Sequence, residues 1–482
     1  MLKKRRLRPA ADFEERRVVT MNSETKKFSF KMPHTFVILV IALTFTCLLT
    51  YLLPAGSYDR VKTDSGLTKV VLDSFKHVQG KQIGPWLIPN YIVKACIRQS
   101  ALILPLIIIG GALEIVLATG MFNAYCSKMS LRFGDKGKLF IPVIMFLFAL
   151  IGLTNEPIRF VSFAPIGVML AMSLGYDAIV GVSIILLGIA IGFISGPYSI
   201  QTAAAQQLAE LPVYSGLWLR WVSFAIFYVM CVFFIVRYAE KTKKHPELSP
   251  VYNDPDIIKL DLDPSHVENN PRHKYVLAIF VLGIATMVFG AMEYQWNLTE
   301  ASIVFAWMGV VSGIVYGFSP SEIAKKFSKG CNGACAAAMI IGLGAAVSLI
   351  LNEAKILDTV VHSMGVALNK VPTVFKAPVL FWMNLIINVF VPSGLGQAAL
   401  VMPVFTPLAD IAGVTRQTAV LAYKFGDGIS NYVLPHVSSL TGFIAAAGIG
   451  YGKWMKFMWK LFVLWIVVAT AIIAFAQIIS YQ

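Results

Sequence analysis

Apolar runs near the length needed to cross a hydrocarbon core, about 20 residues, recur along the chain at 34–53, 101–119, 217–238, 275–291, 301–317, 335–351 and 457–479. Two longer apolar stretches, 139–174 and 378–412, each carry a polar break near the middle: "TNEP" at 154–157 and "PSGLGQ" at 392–397. A helix in, a turn and a helix out on the same side form a re-entrant hairpin, tolerated where protein or a water cavity shields the turn. After each hairpin comes another interrupted apolar segment, with "SGPYSIQ" (195–201) inside 178–211 and "GDGISNYVLP" (426–435) inside 416–449. The pattern predicts an all-α polytopic membrane protein with two re-entrant hairpins and two discontinuous transmembrane helices. Threading the spans gives about nine full crossings.

Composition agrees: 57% of residues are hydrophobic, 14% are charged, and the mean hydropathy is +0.70. Lipid is therefore the solvent against which the fold is read. The formal charge of +15 does not point to nucleic acid, because the Lys and Arg residues cluster beside the spans, as the positive-inside rule expects. Basic segments at 127–138, 237–247, 322–330 and 453–460 are expected in the cytoplasm, whereas 291–301 and the final "SYQ" carry no Lys or Arg and are expected outside. Residues 54–98 mix seven Lys/Arg with three Asp and are placed outside by the flanking spans. The amino terminus is then inside and the carboxyl terminus outside. The first hairpin enters from the cytoplasm and the second from outside. Residues 1–31 read as a basic cytoplasmic tail able to touch anionic lipid, with Met21 as an alternative start. The six cysteines are scattered in or near apolar segments and fit no metal or disulfide framework.

A weak internal repeat runs through both halves. A shift of 238 positions carries Asn155 onto Ser393, Pro165 onto Pro403, Leu170 onto Leu408, Ala171 onto Ala409, Gly175 onto Gly413 and Pro197 onto Pro435. The expected division is a first transmembrane repeat at 32–238, a polar, Pro-spaced cytoplasmic linker at 239–273, and a second repeat of inverted topology at 274–482. Inverted repeats with interrupted helices characterise secondary transporters, which bind solute near the midplane where the broken helices meet.

At these breaks, unwound carbonyls suit a cation and helix amino-terminal N–H groups suit a carboxylate. Candidate ligands for substrate or ion are Thr154, Asn155 and Glu156 at the first tip, Ser195 and Ser199 at the first break, Ser393, Gly394 and Gln397 at the second tip, and Asp427, Ser430 and Asn431 at the second break. Ionisable residues at membrane depth are costly and by default functional. Glu156 and Asp427 either contact a ligand or coupling ion, or are paired internally, Lys424 with Asp427 one turn apart. Arg159 and Lys424 either hold a substrate carboxylate or pair with those neighbours. Glu114 reads as a polar contact inside the bundle, Asp410 and Arg416 as helix caps, and His436 as a proton-coupling group or a hydrogen-bonded structural histidine. GxxxxGK[ST], HExxH and nucleophile-elbow patterns are absent, so neither ATP coupling nor an enzyme is expected.

The stretch "PSGLGQAALVMPVFTPLADIAGVTRQTAVLAYKFGDGISNYVLP" resembles the signature region of the YfcC-type transporters, within the anaerobic C4-dicarboxylate carrier group of the ion transporter superfamily. The likeness extends through "GLTNEPIRFVSFAPIGVMLAMSLGYDAI" and the first span, covering nearly all of 32–480. It implies a bacterial inner-membrane secondary carrier, in a superfamily where homodimers are common. Gly394, Gly396, Gly426, Gly428, Ser393, Gln397, Asp427 and Ser430 match the family pattern, whereas Thr154 and Asn155 depart from its more acidic first tip. The expected function is exchange of a basic amino acid of the arginine/ornithine type, with Na+- or H+-coupled C4-dicarboxylate transport as the alternative. No cofactor beyond such a coupling ion is expected. A channel or membrane receptor on the same scaffold is a remoter alternative.

Overall fold

The computed structural model describes residues 34–62, 68–71, 74–125, 137–255, 257, 270–294, 296–368 and 370–482. The basic tail 1–31, nearly all of 127–138 and much of the linker lie outside the described residues. The helices are α1 (Thr35–Leu52), α2 (Ile88–Arg98), α3 (Ser100–Ala118), α4 (Gly137–Gly152), α5 (Ala164–Ser173), α6 (Ala178–Ser195), α7 (Ile200–Leu208), α8 (Leu217–Lys244) and α9 (His273–Glu293). They continue with α10 (Leu298–Tyr316), α11 (Pro320–Ala354), α12 (Leu357–Leu368), α13 (Lys376–Phe390), α14 (Gly394–Ile411), α15 (Arg416–Ser430), α16 (Ser438–Ala446) and α17 (Tyr451–Ile478). Among the described residues, ten helical segments are long and apolar enough to cross a membrane. The chain is a helical, multi-pass membrane protein.

Two elements exceed the sequence reading. α11 begins at Pro320, so the basic stretch 322–330 is helix rather than loop. Ser319 and Glu322 form a capping box around its first turn, and Pro320 occupies the first helical position, where its missing N–H costs nothing. α8 continues to Lys244, so residues 239–244 of the expected linker are its last turns. Strands are confined, among the described residues, to the excursion after α1: β1 (Gly56–Ser57) pairs antiparallel with β4 (Lys76–His77), and β2 (Arg60–Lys62) with β3 (Thr68–Val70). Asp358 of α12 clamps this excursion, accepting from the Tyr58 N–H at 2.9 Å and pairing with Arg60 at 2.7 Å.

Glycines set the packing of each hairpin. α4 descends to Gly152, the chain turns at Leu153–Glu156, and a 3-10 segment (Pro157–Phe163) leads back into α5. α6 then runs alongside α4 in the same direction, Gly188 against Met145 and Gly192 against Ala149. A Cβ on Gly192 would lie 2.2 Å from the Ala149 carbonyl oxygen, so only glycine permits this approach. In the second half α13 and α14 form the hairpin legs, and α15 runs beside α13 with Gly426 against Asn384. Every residue of α6 is buried, and all of α15 beyond Gln417 is buried as well.

The halves grip each other through their broken helices. α7 packs on α14 and α15, while α16 packs on the 3-10 segment and α5. Gln206 donates to Gln417 at 3.3 Å and Arg416 pairs with Glu210 at 3.0 Å, so the end of α7 lies at the beginning of α15. Arg416 also pairs with Asp410 at 2.8 Å. Of the two residues expected to cap helices, Arg416 does so for α7, donating to the carbonyl of its C-cap residue Ala209 at 2.9 Å, whereas Asp410 stays within the last turn of α14; Thr415 caps the start of α15, accepting from the Thr418 N–H.

Candidate functional site

The first interruption falls where the sequence places it. α6 ends at Ser195, Gly196 takes a left-handed conformation at φ +56°, and Ser199 caps α7 by accepting from the Thr202 N–H at 3.2 Å. The second falls within the expected segment but begins later: Gly426, Asp427 and Gly428 are helical, and the chain unwinds over 431–437, overlapping the expected 426–435 only from Asn431 onward. Those glycines serve packing instead of unwinding, since a Cβ on Gly426 would meet the Asn384 Cβ at 2.4 Å and one on Gly428 would meet the Ile194 Cα at 3.0 Å.

A cavity of about 490 Å³ lies between the two hairpin tips. Glu156 and Pro157 line it from the first tip, Ser393 and Gly394 from the second, and Asn431 and His436 from the second break. A neighbouring cavity of about 570 Å³ shares Asn352, Val391 and Ser393 with it and reaches Arg60, Lys355 and Asp358. The pair thus leads from the strand excursion to the tips.

Of the sequence candidates, the structure brings Glu156, Ser393, Gly394 and Asn431 onto one cavity wall. Glu156 is extended at the start of the 3-10 segment and accepts from the Gln201 side-chain amide. Ser393 caps α14, its Oγ accepting from the Gly396 N–H at 3.4 Å.

Asp427 and Lys424 stand one layer behind the cavity, fully buried, with Nζ 3.4 Å from Oδ2. Phe193 lies between, its ring centroid 3.5 Å from Lys424 Nζ. Gly394 closes the layer, for a Cβ there would lie 3.2 Å from Asp427 Oδ2 and 2.6 Å from Gln201 Cγ. Asp427 Oδ1 is buried without a hydrogen-bond partner.

The remaining candidates bond to neighbouring protein groups. Ser195 Oγ donates back to the Ile191 carbonyl at 2.8 Å, and Ser199 shares a hydrogen bond with Thr202 at 2.9 Å. Asn155 donates to Thr154 Oγ1 at 2.9 Å. Gln397 donates to the Asn384 carbonyl at 3.1 Å, lacing the two legs of its hairpin. Ser430 Oγ donates to the Gly426 carbonyl and accepts from Asn388, which also donates to Asn431 Oδ1 at 2.7 Å. Arg159 is half-buried and engages a neighbour. Glu114 pairs with Lys329 at 2.6 Å, away from the tips. No group of three or more metal-ligating side chains occurs among the described residues.

The family model described as C4-dicarboxylate anaerobic carrier matches residues 32–478. The chain belongs to that family. Among its relatives is YfcC of Escherichia coli, provisionally named a basic amino acid antiporter, 28% identical over 96% of this chain and 99% of that one. An uncharacterized Haemophilus influenzae protein is 26% identical over 91% and 95% of the two chains. The crystal structure of the Alcanivorax borkumensis YdaH transporter aligns over 92% of this chain and 98% of that one, at 14% identity and a TM-score of 0.40. Gln201, Asn388 and Asn352 of this C4-dicarboxylate carrier family member were not candidates from sequence, although Gln201 binds Glu156, Asn388 binds Asn431 and Asn352 lines the cavity; His436, weighed there as proton-coupling or structural, lines it too. The missed signal was the amide side chain in an apolar run, which membrane burial makes expensive.

Proposed function

We propose that the chain is a secondary active transporter of the bacterial inner membrane, working by alternating access on a small carboxylate-bearing solute, and that it exchanges basic amino acids. One observation carries the reading: Glu156 and Ser393, 237 positions apart in the chain by their residue numbers, line the same cavity. At the second tip, the first N–H groups of α14 favour a carboxylate. At the first tip, the Glu156 carboxylate favours a cationic group or a coupling Na+ or H+. Two carboxylates would set one of the solute's charges against Glu156. That favours an amino acid over a dicarboxylate.

Inverted topology of the two halves is part of the proposal. Its support is the reciprocal packing of α7 on α14 and α16 on the 3-10 segment, together with α7 running back along α15. The amino terminus is assigned to the cytoplasm and the carboxyl terminus to the outside. Counterflow in proteoliposomes tests the substrate: preloaded ornithine is expected to drive uptake of labelled arginine, and succinate is not. Succinate counterflow without arginine counterflow would overturn the amino acid reading in favour of a C4-dicarboxylate carrier.

A further inference from the structure

We infer that Lys355 is a further solute-binding residue, its ammonium holding the solute's carboxylate in the cavity beside the second tip. The inference rests on the proposed transport of a carboxylate-bearing amino acid and deepens it by naming the protein charge that the carboxylate meets.

The two joined cavities carry opposite charges. Among the described residues, Glu156 is the one Asp, Glu, Lys or Arg on the wall of the cavity between the tips. The neighbouring cavity is lined by Arg60, Lys355 and Asp358, two cations against one carboxylate. Asn352, Val391 and Ser393 belong to both walls, so the positive and negative regions adjoin. A solute with a carboxylate at one end and a cation at the other meets a complementary charge in each.

Of the two cations, Lys355 is the one without a partner. Arg60 is engaged by Asp358 at 2.7 Å and by the Tyr58 carbonyl at 3.3 Å, and Asp358 also accepts from the Tyr58 N–H. The other carboxylate close by in the chain, Glu353, accepts from the Tyr91 hydroxyl at 2.7 Å and pairs with Lys81 at 3.4 Å. Among the described residues, the Lys355 ammonium has neither a hydrogen bond nor an ion pair. Lys355 is exposed on the cavity wall, so a solute reaches it without displacing protein.

The backbone fixes where this side chain starts. Lys355 ends α11 three residues beyond the shared Asn352, in a left-handed conformation at φ +56°. Its N–H donates to the Asn352 carbonyl at 3.2 Å, and its own carbonyl accepts from the Gly56 N–H at 3.0 Å. Glycine adopts this conformation at no steric cost and is the usual residue there, so what lysine adds is its side chain. Ser393, the cap of α14, and Gly396 in its first turn line the same cavity. Helix amino-terminal N–H groups carry only a partial positive charge, and the ammonium supplies a full one beside them.

The test compares arginine with agmatine, which is arginine without its carboxylate. In proteoliposomes, Lys355→Gln is expected to raise the KM for arginine about fivefold, the upper end for an exposed ion pair, with little change in kcat. Lys355→Arg should keep most of the affinity. Agmatine, read by its inhibition of arginine uptake, should bind the variants no less tightly than the wild type. Lys355→Gly separates charge from backbone: glycine suits the left-handed conformation, so its melting temperature is expected to match or exceed that of the wild type while the arginine KM rises as in Lys355→Gln.

An arginine KM unchanged in both Lys355→Gln and Lys355→Gly, or agmatine binding weakened to the same degree as arginine binding, overturns the inference and leaves the transport proposal standing. Wild-type protein that exchanges succinate and not arginine overturns the amino acid reading. A carboxylate is then still the group Lys355 holds if Lys355→Gln raises the KM for succinate, and an unchanged value overturns the inference as well.

Discussion

Lys424 and Asp427 form an ion pair one turn apart on α15, Nζ to Oδ2 3.4 Å, with both side chains wholly buried. Burial makes each charge dependent on the other, because neither has water to fall back on. Lys424→Met or Asp427→Asn alone is expected to destabilise the protein by about 3–5 kcal/mol, the cost of an uncompensated buried charge. Replacing both at once, as Lys424→Met with Asp427→Leu, should recover most of that loss. Melting temperatures in detergent check the ordering, and a double variant no better than the singles would contradict it.

Gly192 and Gly426 are expected to tolerate no methyl group. A Cβ at either would fall 2.2 Å and 2.4 Å from its nearest neighbour, so alanine forces α4 from α6 or α13 from α15. Overpacking of this kind costs about 1–3 kcal/mol. Gly333 in α11 has nothing within 4 Å of its would-be Cβ, and alanine there should be neutral or gain up to about 1 kcal/mol of helix propensity. Thermal melts of the three variants separate packing glycines from incidental ones.

Glu156→Gln keeps the size of the side chain and a partner for Gln201 while removing the charge. Cation-dependent uptake in proteoliposomes is expected to fall at least about 100-fold, with the loss of stability limited to the roughly 1.5–3 kcal/mol of one charge-assisted hydrogen bond. Full transport by the variant would remove Glu156 from the mechanism.

The strand excursion has its own alkaline limit. Burial, and next the Asp358 carboxylate, push the Tyr58 phenol up to about 12. The folded state therefore holds the phenolic proton more tightly than the unfolded chain, whose tyrosine titrates near 10. The stabilisation is complete below about pH 10 and is lost as the pH climbs towards 12. Tyr58→Phe should remove that alkaline limb, visible as phenolate absorbance absent from the transition, while also losing the 2.9 Å hydrogen bond to His362.

Charge and chain-breaking residues inside apolar runs made Glu156 and Ser393 legible, because lipid admits them only for a reason. The same logic overreached at Gly426 and Gly428. Glycine serves unwinding and close approach equally well, and only the neighbour across the gap, Asn384 or Ile194, tells them apart. Gln397, Ser195 and Ser430 were read as ligands from their place at the tips and breaks, and in the structure each donates to a carbonyl of its own helix or hairpin. The α11 start was written plainly as Ser319, Pro320 and Glu322, and the nearby lysines masked it. The strands after α1 are too short, at two or three residues each, for any alternation of pattern to mark them.

Each broken helix cradles the other half's hairpin: α7 lies on α14, and α16 on the chain leaving the Glu156 turn. Such an interlock leaves neither tip free to swing alone. A wedge driven beside Ser393 would arrest the Glu156 side as well, so a blocker of this carrier need occupy only one of its two faces.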